Sequence, residues 1–580
     1  MIYITLYFLY VLVILFVAGS ASSRLLGKLS PPYTATLHPD LVNILIFGMI
    51  SVTTIVSSLS IIIPITLYVH ISIVISLLVY IYYDKQYFFG AVTFFISEIK
   101  SNPYIFILGC LCLFPAIIMA SGPIGYFDTG LYHAQAVKWI NEYGTVPGLG
   151  NLHHRLAFNS SWFYFSAFFD ILAFDGKAAH VVNIIPVSLG LMICLSGFNN
   201  LIKGTISFAN ILKCSLALPF CFDPNLMLIF IPTLSPDLVV VILILHVLIL
   251  VVQYIEHNEI SDNSHLSSEH ETFILIFCVS FFLPSIKLSS LPVLLFPLFI
   301  FVKSKAKTSK MILFSCLTGA IILLPFLTNN IILSGYLLFP FPQLDFFAFD
   351  WKISYATADA VRKQIKYWAI HPTPGWTDMS IGALTTLEWM RFWYAREGHN
   401  PLLIWMIRSA GAAVVFFIIC FIRKCRIGFN MLAVQSILIL ANVYWFFSAP
   451  AYRFGRGWIW AFILFSCGSL VYLILKSVRA QFVSSLGRVM LVLFCISFIN
   501  LMLLRWDTLE VILGKHSQSL VKVSPLPKAQ VRAVRIDEKL VVNGPAKEVA
   551  WNAELPSSPN IKYNLRLRGK TLREGFRIVK

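Results

Sequence analysis

The chain has 580 residues, 58% hydrophobic and 12% charged, with a mean hydropathy of +0.80 and a formal net charge of +17. Soluble domains carry about 25% charged residues, and disordered chains need low hydrophobicity, so both classes are excluded. The basic excess sits on a mostly apolar chain, so membrane topology accounts for it before nucleic acid does.

A hydrocarbon core of about 30 Å takes about 20 apolar residues per helix. In chain order, spans are expected near 1–19, 41–61, 65–83, 103–120, 179–202, 209–222, 237–255, 272–284, 288–302, 311–333, 401–422, 429–448, 457–476 and 488–504, fourteen in all. The first carries Ala18-Gly19-Ser20-Ala21, which mimics a cleavage site. It lacks a positive n-region, so it reads as a retained helix.

Short cytoplasmic loops are rich in Lys and Arg. Arg24 and Lys28, Lys85 and Lys100, Lys203, the run Lys303, Lys305, Lys307 and Lys310, then Arg423, Lys424 and Arg426, and finally Lys476, Arg479 and Arg488 all fall on one side if the N-terminus is outside. The acidic stretch Glu256–Glu271 adds no positive charge there. Four pieces then share the outer face: 121–178, 334–400, the turn 449–456 and the tail 505–580. The expected organisation is N-terminal transmembrane helices at 1–100, a transmembrane core at 101–504 and a basic extracytoplasmic tail at 505–580. From Arg505 onward, fifteen Lys and Arg stand against seven acids, so the tail holds +8 of the total. Such a cap suits anionic lipid-linked molecules or headgroups, or is simply solvated.

All 11 cysteines lie in or beside spans, so no disulfide framework and no CxxC metal pair follows. There is no Walker loop, GxGxxG or HExxH. A nucleotide-driven pump is thereby disfavoured.

In the first outer loop, Asp128 lies between a Gly/Pro turn and an amphipathic helix near Leu131–Tyr143. An acid at the membrane–water boundary is partly desolvated, which raises its pKa and suits general-base work. The bland alternative is a helix N-cap. His133, His153, His154 and Arg155 follow in the same loop. A metal could be drawn from Asp128, His133, His153 and His154, but adjacent histidines point in different directions, so no metal is assigned. Phosphate contact by Arg155 and a histidine is the more natural use, and holding the loop together is the structural one.

The second loop carries Asp345, Asp350, Trp351 and Lys352, then an amphipathic stretch at 357–369. Val361, Ile365, Trp368 and Ala369 share a face there, opposite Arg362, Lys363 and Lys366, so the helix is expected to lie in the interface with its aromatic side in lipid or protein, a solvated cationic face being the alternative. Trp389, Trp393 and Tyr394 read as interfacial anchors, or as stacking surfaces for a sugar ring. The turn Ala449–Gly457 carries Arg453 and Arg456, suited to a bidentate phosphate grip or to snorkelling. Lys287 interrupts an apolar stretch, which marks it as functional or as the end of a hairpin. Asp237 is expected to cap its helix, and His246 to be packed inside a span.

The series FDTGLYH (Phe127–His133), VPGLGNLHHRLAFNSSW (Val146–Trp162), IKLS (Ile286–Ser289), DWK (Asp350–Lys352) and RFG (Arg453–Gly455), with the tail run NLRLRGKTLREGF (Asn564–Phe576), resembles a family of bacterial multi-pass membrane proteins built on a domain of unknown function. The resemblance covers the chain from about the fourth span to the end. That family in turn looks like the GT-C superfamily of integral membrane glycosyltransferases. The GT-C resemblance implies an all-α polytopic bundle with amphipathic helices and a small C-terminal cap on its outer face. It implies transfer of a sugar from a polyprenyl-phosphate carrier to a glycan or lipid acceptor, outside the bacterial cytoplasmic membrane, with Asp128 catalytic. His133, His153, His154, Arg155, Lys352, Arg453 and Arg456 are then the candidate phosphate and substrate contacts. The expected partners are the lipid-linked sugar, its acceptor and membrane lipid, with no nucleic acid. No cofactor is expected, a divalent metal being the lesser alternative.

Two departures accompany the resemblance. Three helices precede the unit in which the acid normally follows the first span. Relatives often carry cysteines where this chain has Ala550 and Ser557, so the tail here is expected to hold by packing alone. An envelope polysaccharide polymerase or ligase is the alternative reading, and a transporter or flippase the third. The transporter predicts ionisable residues buried mid-span and internal repeats.

Overall fold

A computed structural model describes residues 2–29, 39–171, 176–260, 266–303, 309–371, 382, 384–423, 427–503, 523 and 525–579. Lys305, Lys307, Lys424, Cys425 and Arg426, the middle of Glu256–Glu271 and the tail from Arg505 to Lys522 lie outside these residues.

The chain is a helical bundle. Its helices run α1 Ile2–Leu29, α2 Leu41–Leu59, α3 Leu67–Tyr83, α4 Lys85–Ser101, α5 Pro103–Ala120, α6 Ala134–Glu142, α7 Leu149–Leu152 and α8 Ser161–Phe169. They continue as α9 Ile184–Ile202, α10 Phe208–Ser215, α11 Ala217–Phe222, α12 Pro224–Phe230, α13 Asp237–Ile260, α14 Leu266–Ile286, α15 Leu295–Lys303 and α16 Ser309–Ser334. Then come α17 Tyr355–Ile370, α18 Thr386–Glu397, α19 Pro401–Ile422, α20 Ile427–Ser448, α21 Tyr452–Lys476 and α22 Ala480–Leu503.

Among the described residues, 10 helices are long and apolar enough to cross a membrane, or up to 12 if each bent pair is one span. This marks a multi-pass membrane protein and corrects the expected fourteen spans. The expected 65–83 span is α3, which meets α4 at 93°. Asp84 breaks that pair and binds Arg24 at 3.0 Å and Lys28 at 3.7 Å. The expected 209–222 span breaks before Pro224 and bends by 70°. Proline cannot supply the N–H that a continuous helix needs, and it disfavours helical backbone in the residue before it. The 272–284 and 288–302 stretches are shorter apolar helices, Glu271–Ile286 and Leu288–Lys303.

In a membrane, surface that faces no protein faces lipid, so burial locates each helix. In α13, 94% of the apolar window is packed inside the molecule, against 28% in α19. α13 is therefore the central post, and α19 is a lipid-facing wall. Helices of equal greasiness gain little from leaving lipid, so close packing must join them. α1 and α2 show how: a Cβ added at Gly48 would sit 1.9 Å from the Leu15 carbonyl oxygen, and one at Gly19 1.8 Å from that of Ile44. The two backbones touch because both positions lack a side chain.

Described parts of the four loop regions contact one another. Asn151 Nδ2 donates to Trp351 O at 2.7 Å and Trp393 Nε1 to Pro450 O at 2.9 Å. The tail joins them through Phe576 N, which donates to Pro147 O at 2.9 Å. Its strands form two antiparallel pairs, β1 Val531–Arg535 with β2 Val541–Pro545, and β3 Leu565–Leu567 with β4 Phe576–Ile578. Leu540, Val542, Leu565 and Phe576 of the tail form one core with Trp139, Val146, Leu149, Leu152, Leu156 and Leu333. The described tail is thus docked by packing rather than solvated on all sides. Ala550 is buried, and Ser557 Oγ donates to Asn543 O at 2.9 Å, where the resemblance placed cysteines. The cysteines form no disulfide among the described residues.

Candidate active site

Asp128 opens a five-residue π-helical turn, Thr129–His133, that leads into α6. Such turns are rare and concentrate at functional sites. The first two free N–H groups, of Thr129 and Gly130, already reach Tyr126 O at 3.1 and 3.2 Å. The Asp128 side chain makes no capping bond. That overturns the N-cap alternative: with the turn satisfied from behind, the carboxylate is left to face another partner.

That partner is Arg453. Its Nη1 donates to Asp128 Oδ2 at 2.6 Å and to Tyr126 Oη at 3.0 Å. Arg453 stands in the first turn of α21, whose approach is fixed by Trp445 Nε1 donating to Ala451 O at 2.9 Å. The guanidinium lies 4.8 Å over both the Trp368 and Phe454 rings. Trp368 belongs to α17, so the helix expected in the interface covers the charged pair. Its other apolar residues pack on protein, with Val361 and Ala358 buried against Tyr336, Phe339 and Ile353.

A second ion pair adjoins the first. Lys287, at the break after α14, pairs with Asp237 at the start of α13. Asp237 accepts from Ser235 Oγ at 2.7 Å, while Ser235 Oγ itself accepts from Asp237 N at 3.3 Å. Asp237 therefore serves Lys287, and Ser235 does the capping expected of it. Lys287 Nζ lies 4.7 Å over the Phe454 ring. Phe454 thus takes Arg453 and Lys287 on one aromatic side chain, a cation–π arrangement at both contacts.

Burial pushes the Asp128 carboxyl up, but the Arg453 guanidinium, with a smaller pull from Arg155, brings it below the usual carboxylate value. Burial lowers the His133 imidazole to about 4, against the opposing pull of Asp128 and Asp237. His133 is therefore neutral at neutral pH, beside Tyr132 at 4.4 Å and with Nδ1 3.4 Å from Thr129 Oγ1. Arg155 lies 5.4 Å over the Phe158 ring and forms no ion pair with a described residue. The site thus holds three cations, Arg453, Lys287 and Arg155, against the acids Asp128 and Asp237.

The structure brings Asp128, His133, Arg155 and Arg453 together. The other candidates are engaged elsewhere. Arg456, one turn deeper in α21, is buried in an ion pair with Asp223 at 3.0 Å. Asp223 also accepts from Trp460 Nε1 at 3.1 Å and from Leu226 N at 3.2 Å. Lys352 donates to Asp345 Oδ1 and to Phe347 O, both at 2.7 Å, and so closes its own loop. His153 and His154 pack against each other at 5.1 Å, and burial first, then for His153 its neighbour His154, and for both Arg155 and Lys562, hold the imidazoles below their usual value. No group of three or more His, Cys, Asp or Glu among the described residues could hold a metal ion. His246 is packed as expected, with Nε2 2.9 Å from Asn43 Oδ1. Asp237, Lys287 and Tyr126 complete the site, though sequence reasoning had not joined them to it. The signals for them were Lys287 interrupting an apolar stretch inside the IKLS motif and Asp237 at the start of its helix.

A family model described as Domain of unknown function (DUF8201) matches residues 1–460. The chain belongs to the DUF8201 family. The match takes in the first three helices and ends before the tail. Asp128, Arg155, Asp237, Lys287 and Arg453 of this DUF8201 protein all fall within it. No curated protein and no solved structure matches the chain.

Proposed function

We propose that this protein is a glycosyltransferase that moves a sugar from a polyprenyl-phosphate-linked donor to a glycan or lipid acceptor at the outer face of a bacterial cytoplasmic membrane. The observation that carries the reading is the Asp128–Arg453 pair, 2.6 Å apart, at the loop face of the bundle. The loops opposite this face carry the Lys and Arg excess expected of the cytoplasmic side.

The charges suit such a donor. A lipid–phosphate–sugar is a phosphodiester with one negative charge, and the site has one cation more than it has acids. Arg155 supplies the free charge. Arg453 uses Nη1 for both its bonds, while its buried Nε has no hydrogen-bond partner among the described residues. A guanidinium offers donors in a rigid fork, so Arg453 has donors left for a phosphate oxygen. The donor phosphate competes with Asp128 for Arg453. As the arginine turns to phosphate, the carboxylate loses the pull that lowered its pKa and keeps the burial that raises it. Asp128 then takes the proton of the acceptor hydroxyl as that oxygen bonds to the anomeric carbon. The bond from that carbon to the phosphate oxygen breaks, and the leaving phosphate's growing charge falls on Arg453 and Arg155. The lipid chain would lie beside α17, whose Trp368 covers Arg453.

The test is sugar transfer from a polyprenyl-phosphate-linked donor in proteoliposomes. Asp128→Asn is expected to lower transfer at least a hundredfold, within the range general-base removal produces. Transfer at the wild-type rate by this variant overturns the assignment.

A further inference from the structure

We propose that the tail segment around Trp551 is a positioning element of the site, clamping the π-helical turn so that Asp128 meets Arg453. The proposal rests on Asp128 being the reacting acid. Trp551 N donates to Gly130 O at 2.8 Å, inside that turn. The ring lies so close to Gly130 that an added Cβ would sit 2.6 Å from Trp551 Cε2. From the next turn, Gln135 Nε2 donates to Trp551 O and Ala553 O, both at 3.0 Å, and Lys138 Nζ to Ala553 O at 3.1 Å. The tail backbone is thus held at three points by the segment that begins with Asp128.

The Trp551 backbone shows that this contact is specific. Its φ of 44° is the one positive value for a non-glycine residue among the described residues. An aromatic residue rarely adopts that conformation, and it persists only where the surroundings over-determine it. A tail held only by its apolar core, through Leu540, Val542, Leu565 and Phe576, would not need it. The strained residue is the one that reaches the turn.

A π-turn closes its hydrogen bonds i→i+5, one residue further than an α-helix, and is rarely found beyond a single turn. Gly130 N and O are both used, backward to Tyr126 and outward to Trp551. Removing the outward bond and the ring frees the turn to rewind. Rewinding rotates Asp128 relative to Arg453, which is anchored separately in α21.

Hydrogen–deuterium exchange on the full chain in nanodiscs tests the clamp. Trp551→Ala is expected to raise exchange in the peptide covering 126–134 at least tenfold, with α9 and α13 unchanged. Gly130→Ala, which drives a methyl group into the ring, is expected to do the same. Trp551→Phe keeps the ring contact and is expected to stay within threefold of wild type. Unchanged protection at 126–134, or an even rise across the bundle, overturns the proposal. Function is read separately. Farnesyl phosphate binding, carried by Arg453 and Arg155, is expected to be kept or to tighten in Trp551→Ala as Asp128 ceases to compete, while sugar transfer falls at least tenfold. Equal loss of both overturns the positioning role. Loosening at 126–134 with no transfer by wild type leaves the clamp standing and removes the glycosyltransferase reading.

Discussion

Asp128 and Arg453 decide what the site can do, and each is measurable alone. Asp128→Asn is expected to bind farnesyl phosphate at least threefold more tightly than wild type, because it no longer competes for the guanidinium. Arg453→Gln is expected to bind it at least tenfold more weakly. Calorimetry in detergent reads both, and the opposite order contradicts the competition. Arg453→Gln also leaves a buried carboxylate without its partner, at a cost of about 1–3 kcal/mol of stability. His133 supplies a pH test. Its folded pKa of about 4 lies below the ordinary value of 6.5. The unfolded chain therefore binds the proton first, so the contribution is full above pH 6.5 and is lost as pH falls toward 4. The size is about 3 kcal/mol by linkage. Wild type is expected to lose thermal stability across that window more steeply than His133→Gln. Asp128 and Arg453 were both legible in the sequence, as an acid after a span and an arginine in a minimal turn. That they touch was not, because they are 325 residues apart in the chain. Arg456 looked equivalent to Arg453, yet a turn of helix carries it down to Asp223, and no local pattern announces that.

Among the elements, the α1–α2 crossing and α17 carry the clearest expectations. Gly48→Leu is expected to destabilise by about 1–3 kcal/mol or more, since its side chain would enter the Leu15 backbone. Gly411→Ala, whose added Cβ meets nothing within 4 Å, is the control and is expected to leave the unfolding temperature unchanged. Equal shifts in the two variants would mean that the crossing is not held by close approach. Long apolar helices such as α13 were legible from hydropathy alone. The broken ones were not, because a window average passes over Asp84 and Asp223-Pro224, where local backbone chemistry bends the chain. The amphipathic pattern of α17 is legible in its periodicity, but its apolar face packs mostly on the 336–353 loop, a choice between lipid and protein that periodicity leaves open.

For the molecule as a whole, sidedness is the testable quantity. In intact cells, an impermeant maleimide is expected to label Lys547→Cys and Asp345→Cys but not Lys203→Cys, and labelling all three or the reverse set would invert the topology. The grouping of the loop regions was legible from Lys and Arg placement, and the labelling decides which side of the membrane they face. The strands of the tail and their common core with the first loop were not, since each strand is only 3 or 5 residues long and finds its apolar partners hundreds of residues away. That distance has a consequence in time. Asp128 emerges from the ribosome early, Arg453 more than three hundred residues later, and Trp551 after the last span has been made. Through most of synthesis the acid therefore waits without its arginine, and the turn that carries it waits without its clamp. Completion of the site therefore waits for residues made long after the acid, so a chain that stops before Arg453 carries the acid but never assembles the centre around it.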